Sequence, residues 1–256
     1  MTPARNCTFG CAYCYVPTLG IYAGLKPDDW RRWGQFTTFK SNAADLAARE
    51  LRPEQRIYCS PLVDPYQPAE AEQRMMPDIL GAVIARPPRV FTIQTRGPMI
   101  LRDLHLLKRI PGLRVSFSVT TDREDVRRLY EPHCADITER LRVIRRLRDA
   151  GIETYATLAP LLPCDPENLA RTAIGASGRD LIGDPLHLRS VKRRGATTRA
   201  AAFRISAAQG HDAWLDAAFQ ATIVERIDRA ARELGFSFET GPRGFAKLAI
   251  PYQSRG

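Results

Sequence analysis

Apolar residues recur along the chain with two periods, one typical of strands and one typical of helices. Short segments with alternating or β-branched residues predict strands at residues 56–60, 90–95, 115–119 and 153–158, and a last strand at 185–188. Between them, apolar residues three or four positions apart predict helices, as with Ile137, Leu141 and Ile144. This alternation of strands and helices favours a parallel sheet with right-handed crossovers.

The order of these segments predicts an α/β fold, an open (β/α)6 partial TIM barrel at residues 1–190. The segment before Cys7 is short and polar, so we expect the barrel to begin without a well-formed first strand. Residues 191–256 are predicted to form a helical extension, in which a basic stretch precedes a long helix from about 212 to 234. The apolar face of that helix is expected to pack on the barrel.

The amino-acid composition indicates whether the chain is a globular, a membrane or a secreted protein. With 256 residues, of which 44% are hydrophobic, the chain is long enough for one substantial core. No apolar run approaches the roughly 20 residues that cross a bilayer, and the N-terminal residues lack an apolar signal core. We therefore expect a protein without a membrane segment, located in the reducing cytoplasm, where thiols remain free.

The charge balance is basic. Lysine and arginine number 38 against 28 acidic residues, for a net charge of +10, and most of the cations are arginines. Such a surface favours polyanionic partners, of which a nucleic acid is one, but it does not define a reaction. The basic stretch at residues 191–204 is either a contact for a phosphate backbone or a solvated face.

Three thiols, those of Cys7, Cys11 and Cys14, lie at spacings of four and then three residues. A loop that carries them can direct all three sulfurs at one metal centre. Iron–sulfur clusters are ordinarily held by four thiolates, so three would leave one iron of a four-iron cluster open to another ligand. A zinc site with a distant fourth ligand is the alternative, whereas a disulfide framework suits small secreted chains.

The spacing Cys-x3-Cys-x2-Cys, with the aromatic Tyr13 before the third cysteine, resembles the radical SAM superfamily. In that superfamily the open iron binds the amine and carboxylate of S-adenosylmethionine (SAM). Later segments occur in the order found in relatives of spore photoproduct lyase, the photolyase-like subgroup: Val-Asp-Pro-Tyr-Gln-Pro at 63–68, Thr-Arg at 95–96, Leu-Arg-Asp-Leu at 101–104, Glu-Pro-His at 131–133 and Ala-Pro at 159–160. The resemblance covers about residues 5–190 and implies the partial barrel of that superfamily.

The resemblance implies a role for each matching residue. Cys7, Cys11 and Cys14 would hold a 4Fe-4S cluster, and Tyr13 would lie beside the adenine of SAM. Asp64 would accept hydrogen bonds from the methionyl amine, although bracing its proline-rich turn is an alternative role.

Three further positions are implied for SAM. Arg96 stands where the lyase has a lysine for the SAM carboxylate, and a guanidinium can bind a carboxylate through two hydrogen bonds. Ser118, at a strand end, would meet the ribose or the carboxylate, or is simply a satisfied strand hydroxyl. The backbone at Ala159 would flank the adenine.

Two residues match the hydrogen-transfer positions of the lyase. There, a cysteine after the corresponding strand returns a hydrogen atom to the product radical, and a tyrosine just after the third cluster cysteine assists it. Cys59 and Tyr15 occupy these places, and the weak S–H bond suits the donor role. The alternative for Cys59 is a small buried side chain that packs in the core.

The implied activity is reductive cleavage of SAM, followed by hydrogen abstraction from a substrate, with an electron carrier of flavodoxin or ferredoxin type as reductant. Damaged DNA is the substrate that the subgroup and the basic charge favour. The alternatives are radical modification of tRNA, a peptide or a small metabolite, and a metal-bearing nucleic-acid-binding module without catalysis. A binding module would not need Asp64 and Arg96 at strand ends.

Overall fold

The computed structural model describes residues 1–19, 32–60, 62–188 and 197–250. Two short strands, β1 (Ala4–Arg5) and β2 (Thr38–Phe39), pair antiparallel with each other. The main sheet has six parallel strands in sequence order. They are β3 (Arg56–Cys59), β4 (Val90–Thr95), β5 (Leu113–Ser118), β6 (Glu153–Leu158), β7 (Leu181–Gly183) and β8 (Phe238–Thr240). This open parallel α/β sheet confirms the predicted fold class.

Helices connect the strands and cover the outer face of the sheet. Those of eight or more residues in the described ranges are α1 (Ala43–Glu50), α3 (Met75–Ala85), α6 (Ile137–Asp149), α7 (Pro166–Ser177), α8 (Ala200–Ala208) and α9 (Ala217–Glu233). Shorter ones are α2 (Glu70–Gln73), α4 (Leu104–Leu107), α5 (Glu124–Tyr130) and α10 (Gly241–Ala246). Asp136 caps α6, because its carboxylate accepts from the Glu139 backbone N–H at 2.7 Å.

Strand alternation separates two faces of the sheet. Phe91, Ile93 and Phe117 lie fully buried in the main core, toward the helices. Positions between them face the lumen, where the Tyr58 hydroxyl donates to Gln94 at 3.1 Å. Because successive side chains point to opposite faces, neighbours in one strand have different surroundings.

Two predicted boundaries are wrong. The segment 185–188 is not a strand, since β7 ends at Gly183 and Pro185 has no N–H to donate to a ladder. The long helix predicted from 212 to 234 divides, because Asp216 is extended and caps α9, which begins at Ala217. A short 3-10 helix, Asp212–Leu215, precedes it.

The C-terminal part of the chain contributes to the barrel itself. Strand β8 pairs with β7 and supplies the sixth position of the sheet, so the sheet extends across the division predicted at residue 190. The segment after it enters the lumen, where the Thr92 hydroxyl donates to the Leu248 carbonyl at 2.8 Å and Arg114 donates to the Lys247 carbonyl at 2.6 Å. Within the described ranges, strand β1 pairs with β2 and not with the main sheet, as the short polar N-terminal segment suggested.

Two further expectations concern the basic stretch and a membrane segment. The cations Lys192, Arg193 and Arg194 of the basic stretch lie outside the described residues. In the part of the chain that the structure describes, no helix combines the length and apolar character that a bilayer crossing requires.

Candidate functional site

The loop that carries Cys7, Cys11 and Cys14 follows β1 and is bound to the barrel by several hydrogen bonds, two of them from backbone N–H groups of the loop. The backbone N–H of Thr8 donates to the Gln67 side chain at 2.8 Å, and that of Ala12 donates to the Tyr130 carbonyl at 2.8 Å. These bonds hold the loop over the carboxyl ends of the strands, which is where ligands bind in parallel α/β folds.

Two glycines allow this loop to pack against the segment before β2. A Cβ atom on Gly10, whose φ is +61°, would lie 3.1 Å from the Cα of Gly34. One on Gly34 would lie 2.7 Å from the Cα of Gly10. Only residues without side chains fit this approach, so both positions require glycine.

The three cysteine sulfurs face one cavity of about 580 Å³, a size typical of small-molecule sites. Cys7 and Cys11 are buried, and Cys14 is half-buried. Among the described residues, no group of three His, Cys, Asp or Glu side chains is gathered closely enough for a single metal ion. The thiols of a four-iron cluster spread around its corners, so donors for a cluster need not converge on one point.

The three thiols differ in acidity. Burial raises the pKa of Cys7 and raises that of Cys14 to about 12. The pKa of Cys11 is lowered to about 7, because a hydrogen bond from Cys134 and the charge of Arg96 outweigh burial. Cys11 is therefore the sulfur that forms a thiolate, the form that binds metal, most readily.

Asp64 lines the cavity beside Cys7 and is held by three donors. Its Oδ1 accepts from the Thr95 hydroxyl at 2.6 Å and from the Tyr66 N–H at 2.9 Å, and its Oδ2 accepts from the Arg96 N–H at 2.8 Å. Burial raises the pKa of this carboxyl above its usual range, while these hydrogen bonds oppose the shift. Asp64 thus braces its proline-rich turn and also presents a carboxylate to the cavity.

Arg96 lines the same cavity, but its guanidinium is directed at protein groups. Its Nη1 donates to Glu131 at 2.6 Å, to the Cys11 sulfur at 3.5 Å and to the Tyr13 hydroxyl. The Tyr13 hydroxyl in turn donates to Glu131. Arg96, predicted to bind the SAM carboxylate, and Tyr13, predicted to lie beside the adenine, are therefore linked to each other through Glu131.

Two serines line the cavity, and their buried hydroxyls have no protein partners in the described part of the chain. Ser118, predicted from the resemblance, ends β5, and Ser60 follows β3. A buried hydroxyl without a partner costs free energy, so a polar ligand in the cavity would satisfy both. Together with the three sulfurs, they fit a cluster-bound polar ligand such as SAM. Ala159 and Pro160 also line the cavity.

The two residues predicted for hydrogen transfer are not brought together. Tyr15 lines the cavity, with its ring centroid 5.7 Å from that of His187. Cys59 is fully buried in the core on the helix-facing side of the sheet and does not line the cavity, whereas its neighbours Tyr58 and Ser60 do. Strand alternation explains the difference, and the geometry does not support a donor role for Cys59.

Sequence reasoning missed several groups at the site. Cys134, which no motif in the sequence marks, lies 3.9 Å from Cys11, sulfur to sulfur. His187 and Asp184 line the cavity and pair at 2.8 Å. No local signal marked them, because they follow β7, whose position was predicted wrongly.

Comparisons with known proteins agree with this geometry. The model of the Radical SAM superfamily matches residues 1–173. An uncharacterised protein of Methanocaldococcus jannaschii is 26% identical over 158 residues, which cover 62% of this chain and 58% of that protein. An uncharacterised protein of Mycobacterium tuberculosis is 30% identical over 205 residues, which cover 74% of this chain and 58% of the relative. The match thus spans less than two thirds of the length of these relatives.

Solved structures show the same fold. A variant of spore photoproduct lyase superposes with a TM-score of 0.63 at 16% identity, covering 93% of this chain and 74% of that chain. The lyase complexed with dinucleoside spore photoproduct gives a TM-score of 0.54 at 20% identity, covering 75% of this chain and 57% of that one. At these identities the likeness is one of fold.

Proposed function

Because the chain belongs to the radical SAM superfamily, whose members use a 4Fe-4S cluster and SAM, we propose that it cleaves SAM reductively to start hydrogen abstraction from a substrate. Cys7, Cys11 and Cys14 are proposed to hold the cluster. The observation that carries the proposal is that three cysteines and two serines with buried, unpartnered hydroxyls, Ser60 and Ser118, line one cavity at the strand ends.

Held by Cys7, Cys11 and Cys14, a cluster would supply the electron for cleavage of SAM, which would start hydrogen abstraction from the substrate. The chain's own residues bind and orient. Asp64 presents a carboxylate that attracts the methionyl ammonium, while its bonds to Thr95 and the Arg96 N–H keep it in place. Ser60 and Ser118, which line the cavity, would offer hydroxyls to the polar groups of SAM, and the Ala159 backbone would flank the adenine.

The lumen limits the access of water to this chemistry. Below the cavity, Tyr155, Ile182 and Leu248 form a small buried cluster, against which Tyr58 and Phe245 pack. The segment after β8 therefore closes the barrel from within. Exclusion of water protects a reactive radical from side reactions.

A nucleic acid with a damaged base is the proposed substrate. The support is the net charge of +10, which favours a polyanionic partner, and the fold shared with a lyase solved with a dinucleoside photoproduct. An electron carrier of flavodoxin or ferredoxin type is the proposed reductant. Modification of tRNA, a peptide or a small metabolite by the same chemistry would leave the SAM site unchanged.

Anaerobic reconstitution tests the SAM reaction. Protein supplied with iron, sulfide, SAM and dithionite should bind about four irons and release 5′-deoxyadenosine. Replacement of Cys7, Cys11 or Cys14 by Ala should abolish both, whereas Cys164→Ala, which removes a thiol outside the cavity, should retain both. Stoichiometric zinc without iron in anaerobically purified protein would overturn the proposal in favour of a binding module.

The salt dependence of binding tests the substrate class. Affinity for a DNA duplex with an ultraviolet lesion should fall steeply as salt rises, since phosphate contacts release counterions. Changing Lys192, Arg193 and Arg194 to Gln should reduce the log–log slope by up to about 2.7, or about 0.9 for each phosphate that is no longer neutralised. These cations lie outside the described residues, so this test rests on their sequence position.

A charge-matched control separates a specific contact from general attraction. Arg145, Arg146 and Arg171 are exposed on α6 and α7, and their replacement by Gln removes the same charge from the helical face of the barrel. The slope of log affinity against log salt concentration should decrease less in this control than in the variant of Lys192, Arg193 and Arg194. Binding that ignores salt, or its absence at low salt for both DNA and RNA, would exclude a nucleic acid and direct the search to peptides and metabolites.

A further inference from the structure

A buried charge network lies beneath the proposed cluster site. Glu131, at the end of α5, is fully buried, and Arg140, on α6, is 1% exposed. Arg140 Nη2 lies 2.5 Å from Glu131 Oε2, and Arg96 Nη1 lies 2.6 Å from Glu131 Oε1. One carboxylate therefore holds two guanidinium groups in the protein interior, where unpaired charges would be costly.

The network ends on a cysteine sulfur. Arg96 Nη1, held by Glu131, lies 3.5 Å from Cys11 Sγ, within reach of an N–H···S hydrogen bond. The other carboxylate near Arg96 is Asp64, whose Oδ2 lies 4.0 Å from Arg96 Nε and also accepts from the Arg96 backbone. The guanidinium is thus held between Glu131 and the sulfur, and its contacts in this structure are with protein groups.

A cation at this position has a defined electrostatic effect on an iron–sulfur cluster. Reduction adds one negative charge to the cluster and its thiolates. A fixed positive charge and a hydrogen bond at a ligand sulfur stabilise the reduced state more than the oxidised state. Both effects raise the reduction potential, which makes the electron easier to accept.

We propose that Arg96 is a tuning residue for the cluster, and that Glu131 is the positioning residue that keeps its guanidinium against Cys11. This inference rests on the proposed function, because it requires a cluster held by Cys11. It gives the Glu-Pro-His segment at 131–133 a physical role, which is to carry the carboxylate that orients Arg96.

The test is a redox titration of the reconstituted cluster, followed by electron paramagnetic resonance. Arg96→Gln should lower the equilibrium constant for one-electron reduction of the cluster by about tenfold. The midpoint potential of the cluster would then fall by about 59 mV. Arg96→Lys keeps the charge but loses the planar fork, so its midpoint should lie between those of Arg96→Gln and the wild type.

Glu131→Gln separates positioning from charge. If Glu131 acted only through its negative charge, its removal would raise the midpoint potential. We expect the opposite, a lower midpoint, because the released Arg96 moves away from Cys11. A raised midpoint would overturn the positioning role. Should this buried substitution prevent folding, the two Arg96 variants still decide the tuning role.

Arg102 supplies a matched control. Its guanidinium also pairs with buried carboxylates, those of Glu70 at 2.9 Å and Asp103 at 2.8 Å, but it does not line the cavity. Arg102→Gln should leave the midpoint potential unchanged. Equal midpoints in Arg96→Gln and Arg102→Gln would overturn the inference while the SAM reaction stands. A wild-type protein that binds no cluster would overturn the proposed function, and this inference with it.

Discussion

The sulfur of Cys134 lies 3.9 Å from the sulfur of Cys11, although 123 residues separate the two in sequence. Both thiols are buried, and Cys134 follows the Glu-Pro-His segment whose Glu131 binds Arg96. A fourth thiol therefore stands next to one of the three proposed cluster ligands. A modest movement of either side chain would bring the pair to bonding distance, since an S–S bond is about 2 Å long.

We expect metal-free protein to form a Cys11–Cys134 disulfide in oxidised glutathione. The Cys11 thiolate attacks the glutathione disulfide and releases one glutathione, and the Cys134 thiolate then displaces the second. Peptide mass mapping under non-reducing conditions should identify the bond. Cys134→Ser should instead leave Cys11 as a mixed disulfide with glutathione. A wild-type bond from Cys11 to Cys14 or Cys7 in its place would contradict the proximity of Cys11 and Cys134.

Neighbouring residues at the end of β3 should differ in their effect on SAM binding. Ser60→Ala removes the unpartnered hydroxyl of a residue that lines the cavity and should raise the Kd for SAM about three- to tenfold, the value of one hydrogen bond. Cys59→Ala should leave that Kd within about twofold of the wild type and cost about 1 kcal/mol of stability through looser packing. Calorimetric titration of the reconstituted proteins measures both Kd values. If only Cys59→Ala weakened binding, it would be Cys59, and not Ser60, that faces the cavity.

The Cys59 thiol should resist alkylation in the folded protein. Burial raises its pKa from 9.0 to about 12, so the reactive thiolate is scarce at pH 8 and the fraction increases only as the pH approaches 12. In urea the ordinary pKa returns, and iodoacetamide should modify Cys59 rapidly at the same pH. Mass spectrometry of timed samples compares the two states. Similar rates in native and denatured protein would show that Cys59 is accessible, which would reopen the hydrogen-donor role.

Gly97 should be far less tolerant of substitution than Gly81. A Cβ atom at Gly97 would lie 2.2 Å from the Tyr66 carbonyl oxygen, so Gly97→Ala should separate the loops that hold Asp64 and cost about 1–3 kcal/mol. At Gly81, within α3, nothing lies within 4 Å of a new Cβ atom, so Gly81→Ala should stabilise by about 0.5–1 kcal/mol. Urea denaturation measures both changes. A neutral Gly97→Ala would mean that the two loops are not in close contact.

Local patterns in the sequence were sufficient for the family and most of the sheet. The three cysteines lie within eight residues, so their spacing is visible without any structure, and the superfamily match confirms the family that the spacing indicated. Strands β3 to β6 carry alternating or β-branched residues that favour a pleated, buried sheet. Asp136 was recognisable as a cap because its partner, the Glu139 N–H, is three residues away.

Only the tertiary structure decided which distant residues meet. The contacts of Cys11 with Cys134 and of Arg96 with Glu131 join segments 123 and 35 residues apart, and no local pattern encodes such pairs. Strand β8 has three residues and gains its place in the sheet from its pairing with β7, not from its own composition. Cys59 matched a family position in sequence, yet a strand reverses the side-chain direction at every residue, so a shift of one position decides between cavity and core. The sequence therefore determined the family, and the packing of distant segments determined which side chains surround the candidate site.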